Sequence, residues 1–169
     1  CPTPATITRS MVELTGLSPV LINAGLAHTP TVPCLDVYGS PGADPRKGDA
    51  VPQATLLFER GEMVGRFLSQ YSDFLMLGEC VPGGTTTALC VLRALGYDAS
   101  VSSAFAENPL GLKDAVCREV LARILETGER EPLDILRAAG DPMMPVAAGI
   151  ASAYTGDIIF AGGTQMLAV

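Results

Sequence analysis

The run from Leu77 to Leu89, Leu-Gly-Glu-Cys-Val-Pro-Gly-Gly-Thr-Thr-Thr-Ala-Leu, joins an apolar strand to a helix through a glycine pair and three hydroxyl residues. No other stretch constrains the fold as much. Phe74 to Leu77 is a short apolar run bounded by Gly78, which predicts a strand buried on both faces, and Thr85 to Tyr97 carry apolar residues at helical spacing. Gly83 and Gly84 therefore fall at the helix start. Free backbone N–H groups, the positive end of the helix dipole and the missing Cβ atoms let an anion approach the main chain there, and Thr85, Thr86 and Thr87 add hydroxyl donors. The loop lacks the Gly-Lys-Ser/Thr ending of a P-loop, so a monophosphate suits it better than a nucleoside triphosphate. The plainer reading of the same residues is a tight Gly-Gly turn with Thr85 as an ordinary helix N-cap.

Glu79, two residues past the last apolar strand position, falls at the carboxyl edge of the sheet, where open α/β folds bind ligands. Beside a phosphate loop a carboxylate repels the phosphate. Glu79 is thus read as orienting a sugar hydroxyl, a main-chain N–H or a second substrate, with a solvated or capping glutamate as the alternative.

The chain has 169 residues, of which 48% are apolar and 17% charged, enough for one sizeable core in a single α/β domain spanning 1–169. No apolar run is long enough for a membrane span, and no basic-then-apolar leader is legible, so the expectation is a cytoplasmic protein without membrane partners. A net charge of −7 with scattered Lys and Arg argues against a nucleic-acid face. The five cysteines, Cys1, Cys34, Cys80, Cys90 and Cys117, show no C-x-x-C spacing and read as reduced thiols. His28 is the sole histidine, so no metal site is expected. The start at Cys1 and the stop at Val169 inside a helical pattern both read as cuts in a longer polypeptide.

Helix is expected from Ala5 to Thr15, then a strand at Val20 to Ile22 ending in Asn23-Ala-Gly25. Residues 28–53 read as one long loop, either a surface excursion or a cover over the substrate that brings Arg46 and Lys47 to an anion. Leu56, Leu57, Met63, Val64, Phe67 and Leu68 stripe the next helix. A short strand at Ala99 to Ser103 and an N-cap at Asn108 precede a helix lined by Leu112, Val116, Val120 and Ile124. Lys113 falls off that stripe, either solvent-facing or reaching a phosphate. Further helices at 132–139 and 144–154 lead to a last strand, Ile158 to Phe160, followed by Gly162-Gly163-Thr164. The alternation of helix and short apolar strand predicts a three-layer, Rossmann-like α/β fold, with a mainly parallel sheet and helices on both faces. Asn23, Glu79 and Gly162 to Thr164 gather along one sheet edge as the expected cleft.

In Gly78-Glu79-Cys-Val-Pro-Gly-Gly-Thr-Thr-Thr87, Leu95-Gly-Tyr-Asp98, Asn108-Pro-Leu-Gly-Leu-Lys113 and Phe160-Ala-Gly-Gly-Thr-Gln-Met166, the chain resembles the nicotinate-nucleotide:dimethylbenzimidazole phosphoribosyltransferases of cobamide synthesis. It is most similar to their archaeal and cyanobacterial-type branch, and the resemblance covers nearly the whole chain. It implies transfer of phosphoribose from nicotinate mononucleotide to a benzimidazole-like base, giving an α-riboside 5′-phosphate and nicotinate, with no cofactor or metal. The family's phosphate loop maps onto Gly83 to Thr87, its phosphate-contacting lysine onto Lys113 and its strand-end glutamate onto Glu79. Its dimeric habit implies a homodimer. The family's catalytic base, a glutamate in a C-terminal portion, has no counterpart here, and Glu79 is not that residue. The rival expectation is a noncatalytic nucleotide-binding module with a regulatory or assembly role.

Overall fold

A computed structural model of the chain describes residues 4–28, 30–103, 107–128 and 131–169; Cys1 lies outside the described residues. Eleven elements follow one another as α1 (Pro4–Thr15), β1 (Ile22–Asn23), β2 (Leu35–Asp36), α2 (Ala54–Leu68), β3 (Phe74–Gly78), α3 (Gly84–Ala94), α4 (Leu110–Thr127), α5 (Pro132–Ala139), α6 (Met143–Ala153), β4 (Asp157–Ala161) and α7 (Thr164–Leu167). The expected α/β class with parallel strands holds. Both strand pairs, β1 with β2 and β3 with β4, are parallel, and β3 aligns Phe74 with Asp157 through to Gly78 with Ala161. Residues 99–103 carry no strand, whereas the short β2 lies inside the expected loop.

Helices α2 and α6 pack backbone against backbone. The buried face of α2 is Ala54, Leu57, Gly61 and Gly65, a spacing of three or four residues that puts its small side chains on one stripe. A Cβ on Gly61 would overlap the Val146 carbonyl oxygen, and one on Gly149 would overlap that of Phe58. Met63 and Phe67, expected on the core stripe, are exposed instead. Close approach of the two helices is worth more contact than larger side chains facing the same way.

The strand pair β3–β4 differs from expectation in a second respect. Leu75 and Leu77 rest on the core, but Phe74, Met76 and Ile159 on the other face are exposed, so among the described residues β3 is covered on one face only. The apolar residues Ile7, Met11 and Leu14 of α1 are exposed as well.

The long loop is pinned rather than free. Ala50 and Val51 donate their N–H groups to Ala138 and Arg137 carbonyls, and Arg137 pairs with Asp49 at 2.5 Å. Arg123 reaches the Pro45 carbonyl from α4. Arg46 pairs with Asp44 at 2.7 Å, which holds the Asp44 carboxyl down at about 2 and occupies the charge that a covering loop would offer to an anion.

All four described cysteines are free thiols. Cys90 and Cys117 are fully buried and hydrogen-bonded between α3 and α4; the bond and the nearby Arg93 bring the Cys117 thiol down to about 7, while the same bond and burial push Cys90 up.

Gly149→Ala should lower the unfolding free energy by about 1–3 kcal/mol, the usual effect of overpacking. Gly111→Ala, where an added Cβ meets nothing within 4 Å, should leave stability equal or higher by up to about 1 kcal/mol. Denaturant titration of both variants checks this, and equal effects would remove the α2–α6 contact from its place in the core.

Candidate functional site

The glycine pair and the helix behind it form as read from the sequence, but the two glycines serve different ends. Gly83 caps α3 with φ +74°, a left-handed conformation that L side chains rarely adopt, and an added Cβ there would meet only open space. Gly84 has ordinary helical backbone and is buried. A Cβ on it would overlap the amide of Gln165, which lies across the first turn of α3. Among the described residues, no side chain caps this helix start. Thr87 returns its hydroxyl to the Gly84 carbonyl at 2.9 Å, the Thr86 N–H bonds the Gly83 carbonyl, and Thr85, Thr86 and Thr87 are all half-buried.

Glu79 follows β3 directly. Its Oε2 accepts the Val81 N–H at 3.0 Å, so of the roles open to it the structure displays the main-chain one, which holds the loop in shape before the glycines. Burial pushes its carboxyl up from the ordinary 4.5, assisted by Asp141 and opposed by the Val81 hydrogen bond. Asp141 is itself raised by burial, while its side chain accepts the Met143 N–H at the start of α6. Its part in the site is not legible in the sequence, where Gly140-Asp-Pro142 reads only as a break between helices.

Lys113 is 5% exposed and faces inward with Cys117, Val120 and Ile124, at intervals of four, three and four residues, while Leu112 points to solvent. Val120 and Ile124 thus lie on the core as expected, and Leu112 departs from the expected stripe. The Lys113 Nζ donates to the Ser102 carbonyl at 2.6 Å, and burial pushes the ammonium pKa down from 10.5. Ser102 Oγ lies 3.2 Å from Thr164 Oγ1. The expected cap residue Asn108 instead donates to the Val101 carbonyl at 2.7 Å, leaving Pro109 as the N-cap of α4. Asn108 and Lys113 thus grip neighbouring carbonyls of one irregular segment and bring it to the second glycine loop.

That loop meets the first from two sides. A Cβ on Gly162 would stand 3.7 Å from the Glu79 Cγ, and Gln165, three residues on, donates Nε2 to the Val81 carbonyl at 3.3 Å. An added Cβ on Gly163 would meet open space. Glu79, the start of α3, Lys113 and Gly162 to Thr164 are therefore joined through Val81, Ser102 and Gln165. Asn23 stands in a separate arrangement. Its Oδ1 accepts the N–H groups of Gly25 and Leu26, and its Nδ2 donates to Asp36 at 3.2 Å, so its amide shapes the turn after β1. Pro142 closes against Gly25 and Gly42, and a small hollow beside this turn is lined by Ser40, Pro41, Val51 and Leu57.

Chemically, the first group offers a buried ammonium, free space over Gly83 and an uncapped helix start, which together suit an anion. No group of three or more His, Cys, Asp or Glu able to hold a metal occurs among the described residues. No described helix is long and apolar enough to cross a membrane.

Known proteins resemble the chain over nearly its whole length. A protein of Methanosarcina acetivorans is 44% identical over 174 residues, covering 99% of this chain and 50% of that protein. One of Methanothermobacter thermautotrophicus is 45% identical over 173 residues, covering 99% and 48%. Both are UPF0284 proteins. The chain thus spans about half the length of the curated relatives it matches. No family model matches it. Among solved structures, the crystal structure of CobT from Thermus thermophilus matches with a TM-score of 0.68 at 21% identity, covering 99% of this chain and 57% of that one. The chain shares the CobT fold.

Because the raised Glu79 favours its neutral form, its contribution to stability is full below pH 4.5 and declines as the pH rises through its higher folded value. Glu79→Gln keeps an acceptor for the Val81 N–H and loses the charge. Its denaturation midpoint should fall less between pH 4 and pH 8 than that of the unmodified chain; an equal fall would show that the Glu79 carboxyl is not held off its ordinary value.

Proposed function

We propose that the chain supplies the phosphoribose-binding part of an enzyme that transfers phosphoribose from nicotinate mononucleotide to a benzimidazole-like base in the making of a cobamide lower ligand. The observation that carries this reading is the buried Lys113 ammonium, linked through Ser102 to Thr164 beside the uncapped glycine-threonine start of α3. The shared fold with CobT, a dimethylbenzimidazole phosphoribosyltransferase, supports the same reaction class.

Transfer of this kind asks little covalent chemistry of the protein. The bond from C1′ to the pyridinium nitrogen breaks with its electron pair moving onto that nitrogen, which neutralises the ring and makes nicotinate a good leaving group. A nitrogen of the incoming base forms the new bond on the opposite face of C1′, inverting it to the α-configuration, and its proton must be removed. Catalysis then consists of fixing phosphoribose, aligning the base and taking one proton. In this reading Gly83, Gly84, Thr85, Thr86, Thr87 and Lys113 hold the 5′-phosphate, while Gly162, Gly163 and Thr164 border the ribose. Glu79 fixes the loop through Val81, and Asn23 shapes the far wall through its turn. We assign the proton acceptor to the half of the polypeptide that the UPF0284 relatives have and this chain does not match. The partners are small molecules, the assembly is a homodimer by analogy, and the compartment is the cytoplasm.

Calorimetric titration with nicotinate mononucleotide, using ATP for comparison, tests the reading. The mononucleotide should bind selectively, and Lys113→Met should weaken it by about 1.5–3 kcal/mol, the range of a charged hydrogen bond, or roughly ten- to a hundredfold. Preference for ATP, or no mononucleotide binding, would overturn it.

A further inference from the structure

Gln165 carries an unsatisfied group in the middle of the site. The residue is 6% exposed, and its Oε1 is the buried side-chain polar atom without a hydrogen-bond partner among the described residues. Such an atom destabilises the fold, so its retention calls for a physical reason. Turning the amide over does not remove the conflict. It would set Oε1 against the Val81 carbonyl, which now accepts from Nε2 at 3.3 Å, so that two acceptors would face each other. The amide is therefore held by Val81 in an orientation that presents an acceptor to the first turn of α3.

Two neighbouring glycines border open space. Gly83 precedes the residue that Gln165 covers and Gly163 lies two positions before Gln165 itself, and an added Cβ at either would meet no atom within 4 Å. A fully ionised phosphate oxygen cannot satisfy Oε1, because both are acceptors. A hydroxyl group carried on the same ligand can. We propose that Gln165 is a specificity-determining residue whose amide oxygen accepts a hydrogen bond from a sugar hydroxyl, so that the site selects a ribose phosphate over phosphate alone. This assignment rests on the anion site at the start of α3 and deepens it by naming the group that reads the sugar.

The test titrates the chain with inorganic phosphate, ribose 5-phosphate and the 2-deoxy and 3-deoxy analogues of the latter. One deoxy analogue should bind about tenfold more weakly than ribose 5-phosphate, the upper range for one neutral hydrogen bond. Gln165→Leu should abolish that difference, whatever its effect on the affinity for inorganic phosphate. A merely structural role would weaken all four ligands together. Gln165→Met, which fills the space over Gly84 with an unbranched chain, serves the same purpose should the leucine variant not fold. Deoxy discrimination that persists in the folded variant, or is absent from the unmodified chain, overturns the assignment. Nicotinate mononucleotide is titrated in parallel. Its failure to bind beside intact, Gln165-dependent discrimination removes the nicotinate reading alone, whereas its binding without that discrimination removes the Gln165 assignment alone.

Discussion

The contact between α2 and α6 is the constraint on which the rest of the structure depends. Gly61 and Gly65 on one helix and Gly149 on the other let main chain meet main chain, where any Cβ would strike a carbonyl. Fixing α6 this closely fixes both of its ends. At one end Pro142 rests on Gly25 and Gly42, and Asp141 stands near enough to Glu79 to raise its pKa. At the other, the Tyr154 hydroxyl donates to the Ser72 carbonyl at 2.7 Å, and Asp157 donates its N–H to the Asp73 carbonyl, which starts β4 in register beside β3. The carboxyl ends of β3 and β4 then arrive together, and their two glycine loops meet as a consequence. Helix packing of this kind transmits position because a close-packed interior has little slack to absorb a shift.

Two buried polar groups stand where an apolar core would be cheaper in free energy. Lys113 takes a helix position otherwise filled by Cys117, Val120 and Ile124, and Gln165 fills the space that Gly84 leaves. Each is only partly satisfied within the described residues, the lysine by the Ser102 carbonyl and the glutamine by that of Val81. A half-satisfied polar network destabilises the fold unless something completes it. The proposed sugar phosphate would complete both, offering acceptors to the ammonium and a donor to the amide oxygen. The same incompleteness thus links stability to binding, since a ligand that favours the folded state raises its apparent stability.

Local chemistry is the legible part of the sequence. The strand, the glycine pair and the helix after it follow from apolar periodicity and turn chemistry. The assignment of helix faces is where sequence reasoning fails. Leu112 reads inward because hydropathy ranks it so, and Lys113 reads equally as solvent-facing or phosphate-reaching, but the spacing to Cys117, Val120 and Ile124 favours the lysine on the buried face, where its charge finds Ser102. The stripe on α2 misleads for the converse reason: glycine and alanine carry little hydropathy and so conceal a face chosen for closeness. Gln165 and Asp141 escape notice because their importance lies in which distant backbone they meet. The exposed face of β3 has another origin. Phe74, Met76 and Ile159 have the composition of a covered surface, and the relatives that match this chain are about twice as long.

The anion binding proposed for a chain of net charge −7 would depend on distance and dielectric rather than on the sum of charges. Exposed carboxylates farther than about 8 Å are screened at physiological ionic strength, while a buried ammonium is screened much less. Lys113 therefore outweighs several distant acids. Of the acids close by, burial raises the carboxyl pKa of both Glu79 and Asp141, and the same burial lowers that of the Lys113 ammonium. In the proposed site the two carboxyls would repel anions carrying additional charge, so a monophosphate, whose charge Lys113 and the start of α3 can match, fits that reading better than a triphosphate, whose remaining charge would face no second buried cation among the described residues.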